Sequence, residues 1–223
     1  MIVRHLILDW SGTLVDDLEP VLKTTNQVLA AFGQGPLTRE EFRRDFCLPL
    51  RKFYQRRLPG VPQETLERMF LERYAHCQSE IRLLEHTRGF LEFCTQRGLG
   101  VLVASTADAR TCRQQMERFA IGQHIGKAYL GIVDKTEAIH HILAENRLER
   151  RQTLFVGDME HDIEAGQAGG VFTCAVLTGY THAERLRALQ PDLVCAHLGE
   201  LQRQLEDREC GDRETFPAAE SHG

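Results

Sequence analysis

Short apolar runs, each suited to a buried strand and each followed by a stretch of helical periodicity, constrain this chain more than any other feature. The runs fall at residues 2–8, 99–104, 153–156 and 171–176, with another short strand expected at 193–196. Between them lie helical patterns through Phe90, Leu91 and Cys94, then over 108–119, 135–145 and 163–168, and finally around Leu198, Leu201 and Leu205. Buried strands that alternate with helices of this length predict an α/β fold, a mostly parallel sheet covered on both faces. In such sheets, sites gather beyond the carboxyl ends of the strands. Asp9, Ser105 and Asp158 all fall at such ends.

The stretch between the first strand and residue 84 breaks the alternation. A helix is expected over 17–32, with Leu18, Val21, Leu22, Val28 and Leu29 on its apolar side. Two short helices follow at 39–46 and 50–58, then a clear stripe over 63–78 through Leu66, Met69, Phe70, Tyr74 and Cys77. None of this alternates like a strand, so it reads as a helical insertion. The expected division is 1–15 and 84–206 for the α/β core, 16–83 for a helical cap, and 207–223 for a frayed polar tail.

Composition narrows the function classes. The 42% hydrophobic and 26% charged fractions fit a soluble globular protein. A net charge of -5 without a Lys/Arg block argues against a nucleic-acid partner, and no run is long and apolar enough to span a bilayer. Seven cysteines lack ligand-like spacing. Their odd number, with no secretion-type leader, leads us to expect a reducing, cytoplasmic setting.

Asp9 ends an apolar strand, where a carboxylate is costly to desolvate unless a positive charge meets it. Gly12 and Thr13 make a tight turn after it. Asp158 and Asp162 follow a second strand and, four residues apart, share one face if a helix begins between them. Three acids converging from strand ends make an oxygen-rich nest for a hard divalent cation. Phosphoryl chemistry uses that combination, a cation to offset oxygen charge and an acid to attack. Taken singly, Asp9 and Ser105 read as caps and Lys135 as a surface cation; their order together outweighs those readings.

These landmarks resemble the haloacid-dehalogenase-like hydrolase superfamily, especially its phosphoglycolate-phosphatase-like members with a helical cap inserted after the first motif. The matching residues are Asp9-Trp10-Ser11-Gly12-Thr13, then Ser105, then Lys135, then Asp158 with Asp162. The resemblance implies a Rossmann-like core and a Mg-dependent phosphatase of a small phosphorylated metabolite, acting as monomer or homodimer. Asp9 would be the nucleophile, forming an aspartyl phosphate, and Lys135 would offset charge on Asp9 and phosphate. Magnesium would be held by Asp9, the Ser11 carbonyl, Asp158 and Asp162. Substrate would be bound by Ser11, Gly12, Ser105 and Thr106, and by cap cations, Lys52 and Arg56 foremost.

One position departs from the family pattern. Ser11 stands where the family's phosphatases carry a second Asp, which protonates the leaving oxygen and then activates water. A hydroxyl alone does neither at neutral pH. His161 and Asp16 are the substitutes expected from sequence. The first motif also resembles phosphonoacetaldehyde hydrolases, which cleave a carbon–phosphorus bond through a cap lysine imine, here Lys52. A catalytically impaired phosphate-binding descendant is the remaining alternative. Dehalogenation needs no metal, and the pair Asp158 and Asp162 argues against it.

Overall fold

The strand His5–Leu8 (β1) is shorter than the apolar run that announces it, because Ile2 points to solvent while Leu6, Ile7 and Leu8 are fully buried. The computed structural model describes residues 2–213, with side chains through Asp207. Around β1 a six-stranded, wholly parallel sheet is built in the order β5-β4-β1-β6-β7-β8. Its other strands are Gly100–Ser105 (β4), Lys127–Leu130 (β5), Thr153–Gly157 (β6), Phe172–Val176 (β7) and Leu193–Cys195 (β8). A two-residue ribbon, Val15–Asp16 (β2) against Arg82–Leu83 (β3), closes the base of the helical insertion.

Side-chain alternation along β1 divides the core between the two faces of the sheet. Leu6 and Leu8 join the larger cluster, which runs on into the insertion through Phe42, Phe53 and Leu66. Ile7 faces the other way, with Leu102, Ala104 and Phe155, onto the helix Lys135–Glu145 (α7). The outer helices of the core are Thr87–Gln96 (α5), Ala109–Arg118 (α6), Glu160–Gly169 (α8), Ala183–Ala188 (α9) and Leu198–Arg213 (α10).

The insertion comprises Leu18–Ala31 (α1), Arg39–Asp45 (α2), Leu50–Arg57 (α3) and Gln63–Tyr74 (α4). Thr38 and Glu41 form a reciprocal capping box that starts α2. The expected 63–78 helix tightens into a 3-10 turn at Ala75–Glu80. An aromatic cluster ties the insertion to the core: Phe46 and Phe42 lie 5.3 and 6.1 Å from the ring of Tyr180, which follows β7. Residues 207–213, expected as frayed tail, continue α10, and 214–223 lie outside the described residues. The edge strand β5 and helix α9 went unrecognised in the sequence.

Candidate active site

Asp9, Ser105 and Asp158 follow from or end β1, β4 and β6, three neighbouring strands whose carboxyl ends therefore lie side by side. Strand register does the positioning: Leu8 pairs with Val103 on one side and Val156 on the other. The helix α8 then turns Asp162 back toward the same point. Carboxylate oxygens of Asp9, Asp158 and Asp162 lie within 4.8 Å of one another, all three buried.

Lys135, at the first turn of α7 and 1% exposed, reaches into this group. Its ammonium donates to Asp9 and, at 2.6 Å, to Asp162. Asp158 is held differently. The Thr13 hydroxyl donates to it at 3.0 Å and the Tyr180 amide at 2.7 Å. Two backbone segments close on Asp158 so tightly that only glycine fits: a Cβ on Gly12, at φ +75°, would stand 2.5 Å from its Oδ2, and one on Gly179 2.0 Å.

Charge shows what this cluster lacks. Three carboxylates, if all ionised, would leave two negative charges uncompensated by the one ammonium in a desolvated place. Burial, reinforced by the neighbouring acids, raises the carboxyls of Asp9 and Asp158, although Lys135 partly offsets the rise at Asp9. Burial opposes the charge on Lys135 too, but Asp162 and Asp9 together hold it above its ordinary value. An all-oxygen donor set with two uncompensated charges fits magnesium.

A cavity of about 490 Å³ opens over Asp9, between core and insertion. Ser105 and Thr106 line it, as does Ser11. The Ser105 hydroxyl also accepts the Ala107 amide at 3.1 Å, which orients it. Trp10 forms part of the wall, its indole tied to Gln115 at 2.7 Å.

Several expected site residues lie elsewhere. Gly12 abuts Asp158 and does not line the cavity. Lys52 and Arg56, expected to bind substrate, line a separate depression of about 230 Å³ with His161 and Arg185. Leu48 and Met159 border both hollows and divide them. The reason is helical geometry: Lys52 and Arg56 share one face of α3, four residues apart, and Arg51 takes another and alone reaches the larger cavity. Of the proposed proton carriers, Asp16 is exposed in the β2–β3 ribbon, and His161 is engaged with Asp134 at 2.9 Å.

The residue that sequence reasoning missed is Asp17. It occupies the N-cap of α1 yet makes no side-chain cap bond. Its carboxylate instead accepts from the Ser11 hydroxyl at 2.7 Å, Tyr180 at 2.9 Å and Tyr74 at 3.1 Å, and it lines the cavity. Burial lifts its carboxyl to about 6, against the pull of those three hydroxyls.

These raised carboxyls set a stability profile. In the unfolded chain they titrate near pH 4, so between that value and their folded values the native state holds more protons. Their stabilising contribution is complete below about pH 4 and is lost as pH rises through the folded values; for Asp17 the loss is about 3 kcal/mol by pH 7. We expect the metal-free protein to melt lower at pH 7.5 than at pH 5. Magnesium at about 100 times its Kd should return ~2.7 kcal/mol, roughly 5–11 °C, at pH 7.5 and much less at pH 5. A thermal shift of equal size at both pH values would count against ionised Asp9 and Asp158 as ligands.

Known proteins agree with this architecture. The model of a family described as haloacid dehalogenase-like hydrolase matches residues 6–176. Phosphoglycolate phosphatase 1 of Pseudomonas aeruginosa is 24% identical, across 89% of this chain and 78% of its own. A 5'-nucleotidase of the same organism is 26% identical across 91% and 95%. Among solved structures, a haloacid dehalogenase-like family protein from Streptococcus pneumoniae superposes with a TM-score of 0.78 at 18% identity, covering 91% of this chain and 98% of its own. CbbY from Rhodobacter sphaeroides, in complex with phosphate, superposes at 0.74 with 17% identity across 90% and 96%.

Proposed function

We propose, on the premise that this chain belongs to the haloacid dehalogenase-like hydrolase family, that it hydrolyses phosphate monoesters of small metabolites through Asp9. The observation that carries the reading is the convergence of Asp9, Asp158, Asp162 and Lys135 on one point beneath a cavity. Magnesium held by Asp9, the Ser11 carbonyl, Asp158 and Asp162 would supply positive charge toward the phosphoryl oxygens. Lys135 favours the ionised form of Asp9 against the burial that raises its carboxyl, and orients it for attack on phosphorus. Ser105 and Thr106 offer hydroxyls to the phosphoryl oxygens at the cavity floor.

Attack by the Asp9 carboxylate forms a P–O bond as the ester P–O bond breaks, and the departing oxygen takes a proton. Asp17 would supply it through Ser11: once protonated, Asp17 donates to the Ser11 oxygen, reversing the resting contact in which Ser11 donates, while the Ser11 hydroxyl proton passes to the departing oxygen. The resulting carboxylate then draws a proton back through Ser11 from water as that water attacks phosphorus and the P–O bond to Asp9 breaks, which releases inorganic phosphate and returns the Asp9 carboxylate. A carboxyl near 6 serves both directions close to neutral pH. Tyr74 and Tyr180 hold its remaining lone pairs and fix its orientation.

Ester hydrolysis is favoured over imine-based phosphonate cleavage, because Lys52 opens onto the other hollow. The test is release of inorganic phosphate from a panel of esters and acyl phosphates, with magnesium and with excess chelator. Magnesium-dependent release from at least one ester is expected. Binding of phosphate esters with no release from any of them would overturn the reading in favour of an impaired phosphate-binding protein.

A further inference from the structure

The walls of the cavity say what the phosphate is attached to. Above the phosphoryl end the lining turns apolar: Phe46, Leu48 and Pro49 precede α3, Phe70 and Leu71 come from α4, and Val133 comes from the loop before α7. Among the described residues the large apolar side chains left exposed are Ile2, Leu71 (40%) and Val133 (75%). Two of these three line this cavity, one from the insertion and one from the core. Exposed apolar groups gathered at one concave place mark a binding surface.

The charges in the wall point the same way. Among the described residues Arg51 is the one Lys or Arg side chain that lines the cavity, and Glu67 and Asp108 line it too, beyond Asp9 and Asp17. A second anionic group on the substrate would meet more carboxylates than cations there. Lys52 and Arg56, the cations expected to receive such a group, open onto the neighbouring hollow. Size agrees with charge. At about 490 Å³ the cavity falls within the roughly 300–1,000 Å³ range of pockets that bury a drug-sized ligand. A phosphorylated two-carbon acid has about nine heavy atoms and would leave much of the apolar wall uncovered.

We infer that the leaving group is an uncharged, largely apolar alcohol of aromatic or comparable bulk, seated between the α4 residues Phe70 and Leu71 and the core residue Val133, and that small phosphorylated acids are poor substrates. This rests on the phosphatase reading and adds the substrate class to it.

The test compares 2-phenylethyl phosphate with phosphoglycolate, both esters of primary alcohols, so that leaving-group chemistry does not decide the outcome; acetyl phosphate serves as a reactive substrate without bulk. With magnesium-loaded enzyme, kcat/KM for the phenylethyl ester should exceed that for phosphoglycolate at least tenfold. Leu71→Asp and Val133→Asp should each reduce that ratio about tenfold. Equal or better turnover of phosphoglycolate would overturn the substrate class and leave the phosphatase reading standing. If neither these three nor any other ester of the panel is hydrolysed, the phosphatase reading fails and binding decides the inference separately. Trp10 is the chain's one tryptophan and lines the cavity, so its emission reports occupancy. Titration with 3-phenylpropylphosphonate, which lacks the scissile bond, should change that emission with a Kd at least tenfold below that of phosphonoacetate, and Leu71→Asp should weaken it about tenfold. Phosphonoacetate binding as tightly would remove the inference by this second route.

Discussion

Asp9→Asn should lower magnesium-dependent phosphate release by roughly 10⁴-fold or more, the scale seen when a covalent nucleophile is removed. An amide nitrogen and a neutral oxygen replace a charged attacking group, so no aspartyl phosphate forms. The same change should not weaken the fold. Burial raises the Asp9 carboxyl, which means that its ionised form costs stability at neutral pH despite Lys135. Asn keeps the shape and removes the charge, and Lys135 retains Asp162 at 2.6 Å. The metal-free variant should therefore melt at or above the parent temperature at pH 7.5, and its magnesium-induced thermal shift should shrink. The two readouts separate a lost nucleophile from a lost fold. Activity surviving above about 1% with an intact melting transition would place the attacking group elsewhere.

How much of this was legible in the sequence follows from what each signal depends on. The strands β1, β4 and β6 announce themselves as apolar runs because both faces of a central parallel strand are buried. Edge strand β5, Lys-Ala-Tyr-Leu, is only partly buried and carries no such run. The two-residue ribbon β2–β3 is too short to leave a period at all. In the site, Asp9 and Asp158 were legible because each follows an apolar strand, and strand ends are where the topology brings residues together; Asp162 followed from its four-residue spacing to Asp158, and Lys135, at a helix start, only from the family resemblance. Cap residues obey no such rule. Arg51 and Lys52 are adjacent in the chain, yet successive helical positions diverge by about 100°, and the two open onto different hollows. Asp17 escaped for a third reason. An acid at a helix N-cap already has a sufficient local explanation, while its partners Tyr74 and Tyr180 lie 57 and 163 residues away.

Asp17→Asn should lower kcat by about 10²–10⁴-fold for esters of ordinary alcohols, the usual worth of general acid–base help. For 4-nitrophenyl phosphate or acetyl phosphate the loss should be much smaller in the phosphorylation step, because those leaving groups depart without a proton. A purely structural role would depress all substrates alike. Position can be tested further by exchanging the two partners. Ser11→Asp alone puts a second carboxylate against Asp17 across a contact now 2.7 Å long, so repulsion should make it a poor rescue. Ser11→Asp combined with Asp17→Ser keeps one carboxyl and one hydroxyl in contact and moves the acid to position 11. That double variant should recover at least tenfold over Asp17→Asn. Its acidic pH limb should also move, since the carboxyl no longer sits among Ser11, Tyr74 and Tyr180. If the double variant is no better than Asp17→Asn while melting normally, Asp17 does not handle the proton. The departure at position 11 would then need another answer within the same cavity, and Asp108 is the next carboxyl that lines it.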